Sequence, residues 1–453
     1  MILDIEAISV EVREELARKY PRRDRAGIEH GQSVLNEGYN DTDGVLFLER
    51  GEGIYVYDSR GRPYLDFALG AGTHILGHAP AKVVEAVRRR VGEGTLFVRP
   101  NTDAHHYAEL LSTLQPSSKR FAFCNSGAEA TMRAARTARA HSGKPRVALW
   151  PGAWHGSHDW GLFEEDPESA ANYPTFRARS AGLPATLTHD LLLLPPSSDA
   201  AVEIIAEHAK DLAMVMVEPI RGPLPRPDSA DVLPALREAC TRHSVLLGFD
   251  EVVTGFRLAL GGGQERYGVE ADIVAYGKIA GGGLPVGIVG IKDEIAQTIS
   301  ANANAPSDIV YFGGTFSANP LSMVAGQAAI TELMGRATEI YPRLDRLTEG
   351  FIVRMNAHFQ EMGVSIHCIG LSGIFRFIFT DRSVATRRER DVAEVGQPVQ
   401  DLFYDLLLLD GIHVGTNRIM FLSASHDESH LDCLFDAAVR AAKAIWKTGM
   451  QSG

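Results

Sequence analysis

Cysteine is scarce in this chain of 453 residues, and the four that occur are far apart. They are Cys124, Cys240, Cys368 and Cys433. No two of them form a C-x-x-C pair, which is the spacing typical of zinc and redox motifs. The pattern also gives no basis for a disulfide framework, so we expect a reduced, cytoplasmic setting.

Long hydrophobic runs are also missing. A membrane-spanning helix needs ~20 mostly apolar residues in a row, and no segment reaches that length. The first twenty residues carry acidic side chains throughout and lack the basic-then-apolar layout of a signal peptide. We therefore expect neither a membrane segment nor a secretion signal.

The chain also lacks an excess of positive charge, since its net charge is −12. The basic cluster at Arg22, Arg23 and Arg25 is short and stands near acidic residues. Proteins that grip nucleic acid usually carry a basic patch, so no nucleic-acid partner is expected.

Metal-binding patterns are absent too. Three histidine pairs stand at close spacing, namely His74 with His78, His105 with His106, and His155 with His158. None of the pairs has a third ligand at a suitable spacing, so the sequence predicts no metal site.

The length suggests two or three domains. We predict an N-terminal segment, 1–75, that packs with a small domain, 331–453, and a large domain between them, 76–330. An amphipathic helix is predicted over residues 10–20. Alternating apolar residues around a turn predict a hairpin over Gly53–Phe67.

Wholly apolar strands alternate with helices from about residue 103. The predicted strands are 121–124, 146–150, 213–217, 245–249, 272–276 and 286–291. Such strands predict a mostly parallel sheet covered on both faces, which is a doubly wound α/β domain. A helix at 321–333 is predicted to close this domain, and the remainder predicts an α+β unit with helices at 341–363 and 430–448 and strands at 375–379 and 419–424.

Ligands of open α/β sheets bind beyond the carboxyl ends of the strands. After the strand 121–124 come Ser126, Gly127 and Ala128, which open a helix. The N–H groups of a helix N-terminus favour a phosphate. A plain helix cap is the alternative.

Trp154 follows the next strand, where its ring could stack on a flat ligand or pack in the core. Glu218 and Asp250 each follow an apolar strand directly. A desolvated carboxylate needs a partner, so each acid faces either a ligand or a cation, for which Arg257 is the candidate beside Asp250.

Lys278 is the only charged residue between Ile273 and Ile291, and glycines follow it. Burial lowers the pKa of a lysine, which frees the amine to act as a nucleophile and a base. The alternative is a lysine that reaches out to solvent from a strand end. Thr315, beside two glycines, is a second possible phosphate contact or a helix cap.

Together these residues match the needs of one cofactor, pyridoxal 5′-phosphate (PLP). PLP needs a lysine for its aldehyde, an acid for its pyridine nitrogen, an anion cradle for its phosphate and an aromatic side chain over its ring. A nicotinamide oxidoreductase is less well supported, because no G-x-G-x-x-G follows an early strand.

The chain also resembles the class III, or ω-type, aminotransferases of PLP fold type I. It is most similar to their glutamate-1-semialdehyde 2,1-aminomutase-like branch. The motifs that carry the resemblance are NSGAEATMRAARTAR, WHGSHDW, VEPI, GFDEVVTGFR, GKIAGGGLPVG and GGTFSANP.

The resemblance implies roles for matching residues. Lys278 would form the Schiff base, Asp250 would pair with the pyridine nitrogen and Val252 would pack on the ring. Cofactor contacts are implied for Gly127, Ala128, Ser126, Trp154, His155 and Glu218. Thr315 would reach the phosphate of a neighbouring subunit, which implies a homodimer. Trp154 is a departure, because the family usually has Tyr or Phe there.

The implied activity is transfer of an amino group between an amino acid or amine and a keto acid. The alternatives are an intramolecular aminomutase, which needs a closing loop such as 311–320, and a non-catalytic protein on the same fold. The segment 163–184 has a loop-like composition and could shape the substrate entrance. The substrate, and the arginine that binds its carboxylate (Arg99, Arg257 or Arg418), stay open.

Overall fold

The computed structural model describes residues 5–19, 46–166, 168, 175–227, 229–301, 305 and 308–446. The described helices are α1 Ile5–Lys19, α2 Ala81–Val91, α3 Thr102–Leu114, α4 Gly127–Ser142, α5 Ser198–Glu207, α6 Ser229–Arg242, α7 Gly262–Tyr267, α8 Asp293–Ala301, α9 Pro320–Met362, α10 Arg387–Ala393, α11 Gln397–Leu409 and α12 Glu428–Ile445. A short turn at Leu69–Gly72 and three short 3₁₀ turns, Asp159–Leu162, Ala185–Asp190 and Lys278–Gly281, complete the helical elements.

The strands are short, as is usual for a globular protein. They are β1 Leu48–Glu52, β2 Tyr55–Asp58, β3 Pro63–Asp66, β4 Arg120–Cys124, β5 Arg146–Leu149, β6 Phe163–Glu165, β7 Phe176–Ala178, β8 Leu191–Leu193, β9 Leu212–Val217, β10 Leu246–Glu251, β11 Ile273–Gly277, β12 Gly287–Ile291, β13 His367–Leu371, β14 Ile374–Ile378, β15 Ile412–His413 and β16 Met420–Phe421.

Seven strands form the central sheet, in the order β4-β12-β11-β10-β9-β5-β8. β12 runs antiparallel to both of its neighbours, and the other pairs are parallel. Every residue of β9, β11 and β12 is buried, which explains their unbroken apolar sequences. The predicted α/β fold with a mostly parallel sheet is confirmed, and the edge strand β8 was not predicted.

Helix α4 covers one face of this sheet and contacts β11 and β12. Its buried face is made of small side chains, among them Ala130, Ala134 and Ala138. Small residues let the helix approach the sheet closely. The N-terminus of α4 is thereby fixed at the end of β4, where the first predicted phosphate contact lies.

The predicted hairpin over Gly53–Phe67 is present as β2 and β3, with Tyr55 opposite Leu65. β3 pairs on its other side with β15, so the hairpin shares a four-stranded sheet with the C-terminal part of the chain. β13, β14 and β16 form a separate antiparallel sheet. The predicted domain limits of 1–75, 76–330 and 331–453 stay predictions.

Helix α9 runs without interruption for 43 residues. The Asn319 side chain caps it by accepting a hydrogen bond from the Ser322 N–H at 2.9 Å, and Gly363 ends it in a left-handed conformation. The sequence predicted two helices here, separated between 333 and 341, and the structure joins them into one.

The segment 163–184 contains an antiparallel pair, β6 and β7, where the sequence predicted only a loop. Glu164 lies directly opposite Arg177 in this pair. The Arg179 N–H continues the pairing by donating to the Leu162 carbonyl at 2.9 Å. Within the described part of the chain, no helix is both long and apolar enough to cross a bilayer.

Candidate active site

A cavity of about 260 Å³ lies at the carboxyl ends of β4, β9, β10 and β11. It is lined by Gly127, Ala128, Thr131, Trp154, His155, Gly156, Ser157, Glu218, Asp250, Val252, Val253 and Lys278. Eight of these twelve residues were predicted as site residues from the sequence. The position agrees with the general location of ligand sites in open α/β sheets.

The N-terminus of α4 forms one wall. Ser126 is the cap residue, and its hydroxyl accepts a hydrogen bond from the Glu129 N–H at 3.1 Å. Gly127 and Ala128, the first two residues of the helix, line the cavity. The N–H groups of a first helical turn have no intrahelical acceptor, so this wall offers donors to an anion.

Gly127 also allows a close approach to Val252. A Cβ placed on Gly127 would lie 2.7 Å from Cγ1 and 2.8 Å from Cγ2 of Val252. Both distances are far below a normal carbon contact, so no larger residue fits without movement. Val252 is thereby held against the wall that carries the helix N-terminus.

Asp250 lies within β10, whereas the sequence predicted that the strand ends before it. Its Oδ2 is 2.9 Å from Nδ1 of His155, and its Oδ1 accepts a hydrogen bond from the Val252 N–H at 3.0 Å. Asp250 and His155 are each only 3% exposed. A buried acid and an imidazole therefore form a tight pair inside the cavity wall.

His155 is held in place by its backbone, because the Thr131 hydroxyl donates to the His155 carbonyl at 2.6 Å. Among the residues that the structure describes, Nε2 of His155 is a buried atom without a hydrogen-bond partner. Since Nδ1 faces Asp250, the opposite nitrogen points away from that carboxylate. Sequence reasoning did not identify His155 as the partner of Asp250.

Arg257, the cation expected beside Asp250, makes other contacts. Its guanidinium donates to the carbonyls of Leu422, at 3.0 Å, and Gly72, at 2.7 Å. Burial lowers its pKa to about 10. The alternative interpretation of Asp250 as the partner of Arg257 is therefore wrong.

None of the three arginines considered as carboxylate anchors lines this cavity. Arg99 is exposed, and Arg418 donates to Gln400 Oε1 at 2.6 Å and pairs with Asp401. Arg257 and Arg418 are therefore engaged with other residues, although the Arg257 charge is close enough to Lys278 to help lower the pKa of its amine.

Glu218 is buried where β9 ends, and its Oε2 accepts a hydrogen bond from the Trp154 N–H at 2.9 Å. Burial raises the pKa of Glu218 to about 7, and the nearby Asp250 carboxylate adds to the rise. This carboxyl therefore changes its protonation state near neutral pH. It also fixes the backbone of Trp154 at the cavity.

Lys278 follows β11 directly and has a φ of 46°. A non-glycine residue in this left-handed region is strained by about 1–3 kcal/mol, and such residues cluster at functional sites. Burial lowers the pKa of its amine, although the carboxylates of Asp250 and Glu218 act in the opposite direction. More of the amine is therefore neutral at a given pH than for an exposed lysine.

Two predicted residues stay outside the cavity. The Ser126 hydroxyl serves the helix cap, and Thr315 is exposed on the segment before α9. Arg133 holds that segment by donating to the carbonyls of Phe312, at 2.6 Å, and Gly313, at 3.0 Å. Thr315 therefore lies on the surface of the protein.

Four lining residues were missed by the sequence analysis: Thr131, Gly156, Ser157 and Val253. Gly156 carried a readable signal, because it follows His155 in a glycine-bounded turn. Its φ is 103°, and a Cβ there would lie 2.7 Å from the Ala128 Cα. A glycine is required so that this turn can approach the helix N-terminus.

Known proteins resemble the chain over nearly all of its length. The model of the family described as "Aminotransferase class-III" matches residues 38–384. The glutamate-1-semialdehyde 2,1-aminomutase of Salinibacter ruber is 33% identical over 437 residues, which cover 95% of this chain and 97% of that protein.

Two solved structures share the architecture. An omega-transaminase from Sphaerobacter thermophilus has a TM-score of 0.82 at 28% identity, with 92% of this chain and 97% of that chain covered. A beta-phenylalanine aminotransferase from Variovorax paradoxus has a TM-score of 0.82 at 26% identity, with 96% of each chain covered. With its fold, its cavity and these relatives in agreement, the chain belongs to the class III aminotransferase family.

Proposed function

We propose that the protein is a PLP-dependent aminotransferase that moves an amino group between an amino acid or amine and a keto acid. One observation carries the proposal: the amine of Lys278, with a lowered pKa, lines the same cavity as the buried Asp250–His155 pair. A reactive amine and a buried acid are the two groups on which PLP chemistry depends.

The residues of the cavity fit the cofactor. The backbone N–H groups of Gly127 and Ala128 would donate to its phosphate, because these residues open α4. Position 127 has no room for a side chain, since a Cβ there would collide with Val252. Asp250 would accept the hydrogen bond of the pyridine nitrogen, and Lys278 would hold the aldehyde carbon. Trp154 and Val252 would cover the ring.

Thr315 is exposed and lies outside the cavity of its own protomer. We propose that it serves the phosphate in the cavity of a neighbouring subunit, so that the active form is a homodimer. The exposed side chains of Tyr311 and Phe316 on the same segment support an interface there, because exposed apolar patches mark interaction surfaces.

PLP supplies an electron sink for the electrons of the substrate's Cα–H bond. The chain's own residues do the rest. The Lys278 amine, with its lowered pKa, takes the Cα proton of the substrate as a base and returns a proton as an acid. Asp250, fixed by His155 and the Val252 N–H, would face the pyridine nitrogen and favour a proton there.

Intramolecular amino transfer is the second candidate. It is supported by the 33% identity to a protein named glutamate-1-semialdehyde 2,1-aminomutase. An aminomutase must retain its intermediate, which requires a loop that closes over the site. The segment before α9, at 311–320, remains the candidate for this loop.

A stoichiometry experiment separates the two candidates. Purified protein loaded with PLP is mixed with α-amino acids, β-amino acids, primary amines and amino aldehydes in turn, with and without a keto acid. We expect one conversion per subunit without a keto acid and continuous turnover with it. Continuous turnover of an amino aldehyde, which carries both an amine and a carbonyl group, without any keto acid would instead establish an aminomutase. No spectral change with any amine would contradict both.

Substitution of Gly127 by alanine tests whether the N-terminus of α4 binds the phosphate of PLP. We expect the dissociation constant of PLP to rise at least about tenfold, because the new Cβ collides with Val252 and shifts the helix N-terminus. A titration of the PLP-free protein followed by absorbance measures the change. The double variant Gly127→Ala/Val252→Ala relieves the collision but also removes a side chain from the ring, so we expect it to bind PLP more tightly than Gly127→Ala and less tightly than the wild type. Unchanged affinity in the single variant would contradict the assignment.

A further inference from the structure

We propose that Arg179 is a positioning residue that holds the indole of Trp154 over the cofactor cavity. The proposal rests on the proposed function, because it assigns Trp154 to the cofactor ring. Arg179 lies in the segment after β7, which the sequence analysis identified only as a loop. It lies outside the set of residues that line the cavity, so it acts through Trp154.

The contact between the two side chains is direct. The Cζ atom of Arg179 lies over the Trp154 ring, 4.7 Å from its centroid. A guanidinium at this distance is attracted to the face of an indole. The contact matters because Trp154 is 38% exposed, so core packing does not fix its ring. The hydrogen bond from its N–H to Glu218 fixes the backbone only.

Arg179 is itself held at two points. Its backbone N–H donates to the Leu162 carbonyl at 2.9 Å, which continues the pairing of β6 with β7. Its Nε lies 3.2 Å from Oε2 of Glu164. With backbone and guanidinium both restrained, the side chain loses little further freedom when it covers the indole.

Glu164 is the centre of a junction of three arginines. Besides Arg179 it binds Arg177, whose Nη2 is 2.8 Å from Oε1, and Arg387, whose Nη2 is 3.1 Å from Oε2. Arg177 belongs to β7, and Arg387 opens α10. The junction therefore ties the β6–β7 hairpin to the C-terminal part of the chain and supports the arginine over Trp154. We define these four residues as the Glu164 junction.

A double-mutant cycle between Arg179 and Trp154 tests the proposal. We expect Arg179→Ala to raise the dissociation constant of PLP about fivefold in the chain with Trp154. In the Trp154→Ala background the same substitution is expected to change nothing, because the indole is gone. Additive effects of the two substitutions would overturn the proposal.

Two further variants serve as controls. Arg177→Ala removes another arginine of the Glu164 junction but leaves the guanidinium over Trp154 in place, so we expect the PLP affinity to stay within about twofold of the wild type. Arg179→Lys keeps a cation and is expected to restore part of the affinity. An equal loss of PLP affinity in Arg177→Ala and Arg179→Ala would show a general effect of the hairpin and would contradict a specific role of Arg179.

A cofactor-free readout separates this proposal from the proposed function. Quenching of tryptophan fluorescence by acrylamide is measured in the protein without PLP, with Trp154→Phe as the baseline for the other tryptophans. We expect Arg179→Ala, but not Arg177→Ala, to increase the quenching of Trp154. Failure of the wild type to bind PLP would refute the proposed function alone. Unchanged quenching in Arg179→Ala would refute the positioning role alone.

Discussion

Replacement of Lys278 by alanine is expected to abolish turnover, with a loss on the order of 10⁶-fold, as for removal of a reactive nucleophile in other covalent enzymes. The physical reason is that the amine serves twice, since it holds the cofactor and moves the proton of the substrate. Initial rates and the visible absorbance of the PLP-loaded protein measure both roles. We expect the absorbance band of lysine-bound PLP to disappear together with the activity.

Lys292 offers a matched control for this experiment. It follows β12, and its amine is 2.8 Å from the Asp272 carboxylate, outside the cofactor cavity. Lys292→Ala is expected to weaken a structural ion pair and to leave both the absorbance band and kcat intact. Activity and a visible band that survive in Lys278→Ala would remove the basis of the proposed function.

Substitution of Asp250 by asparagine is expected to lower kcat about 10³-fold while PLP stays bound. Asparagine has the same shape and can still face His155, but it carries no charge to favour a proton on the pyridine nitrogen. The backbone N–H groups of Gly127 and Ala128 and the Lys278 amine are unaffected, so the cofactor is retained. The measurements are kcat for the amine half-reaction and the dissociation constant of PLP.

Asp272→Asn is the control for a buried carboxylate of the same sheet. Asp272 pairs with Arg237 and Lys292, both at 2.8 Å, outside the cofactor cavity. These cations and the Leu247 N–H lower the pKa of Asp272 although burial opposes them, so its charge stabilises the fold. Loss of that charge is expected to lower the melting temperature and not kcat. An unchanged kcat in Asp250→Asn would show that Asp250 is not the partner of the pyridine nitrogen.

The sequence was sufficient to predict the central sheet, except for its edge strand β8, and most of the residues that line the candidate site. Apolar strands such as Ile273–Gly277 are buried on both faces, and this leaves a pattern that no exposed strand shares. The polar residue that ends such a strand, as at Lys278, must then lie at the edge where ligands bind. Eight of the twelve cavity residues were identified, some by this reasoning and others, such as Val252, only through the family resemblance.

Contacts between residues far apart in the chain could not be predicted. His155 precedes Asp250 by 95 positions, and the sequence offered only a ligand or a nearby cation such as Arg257 as the partner of Asp250. The Glu164 junction reaches Arg387 across 223 positions. A single sequence carries no signal for such pairs, since tertiary packing alone decides which side chains meet.

The predicted helix limits were wrong where local helix propensity conflicted with tertiary packing. Gly335 and Pro342 both have low helix propensity, and the sequence predicted two separate helices where α9 is continuous. One face of α9 is buried along its length, at Met323, Leu333, Leu344 and Met355 among others, and this burial outweighs the unfavourable propensity. The strands β6 and β7 were missed because three-residue strands leave no periodic pattern.

The proline within α9 has a mechanical consequence. At 1.5 Å per residue the helix is about 65 Å long, and it starts directly after the segment that carries Thr315. Pro342 has no N–H, so the carbonyl of Thr338 loses its helical donor at that turn. Bending stiffness is lowest where the hydrogen-bond ladder is incomplete. Pro342 is therefore the point at which the helix bends most easily between its end near Lys278 and its end near β13.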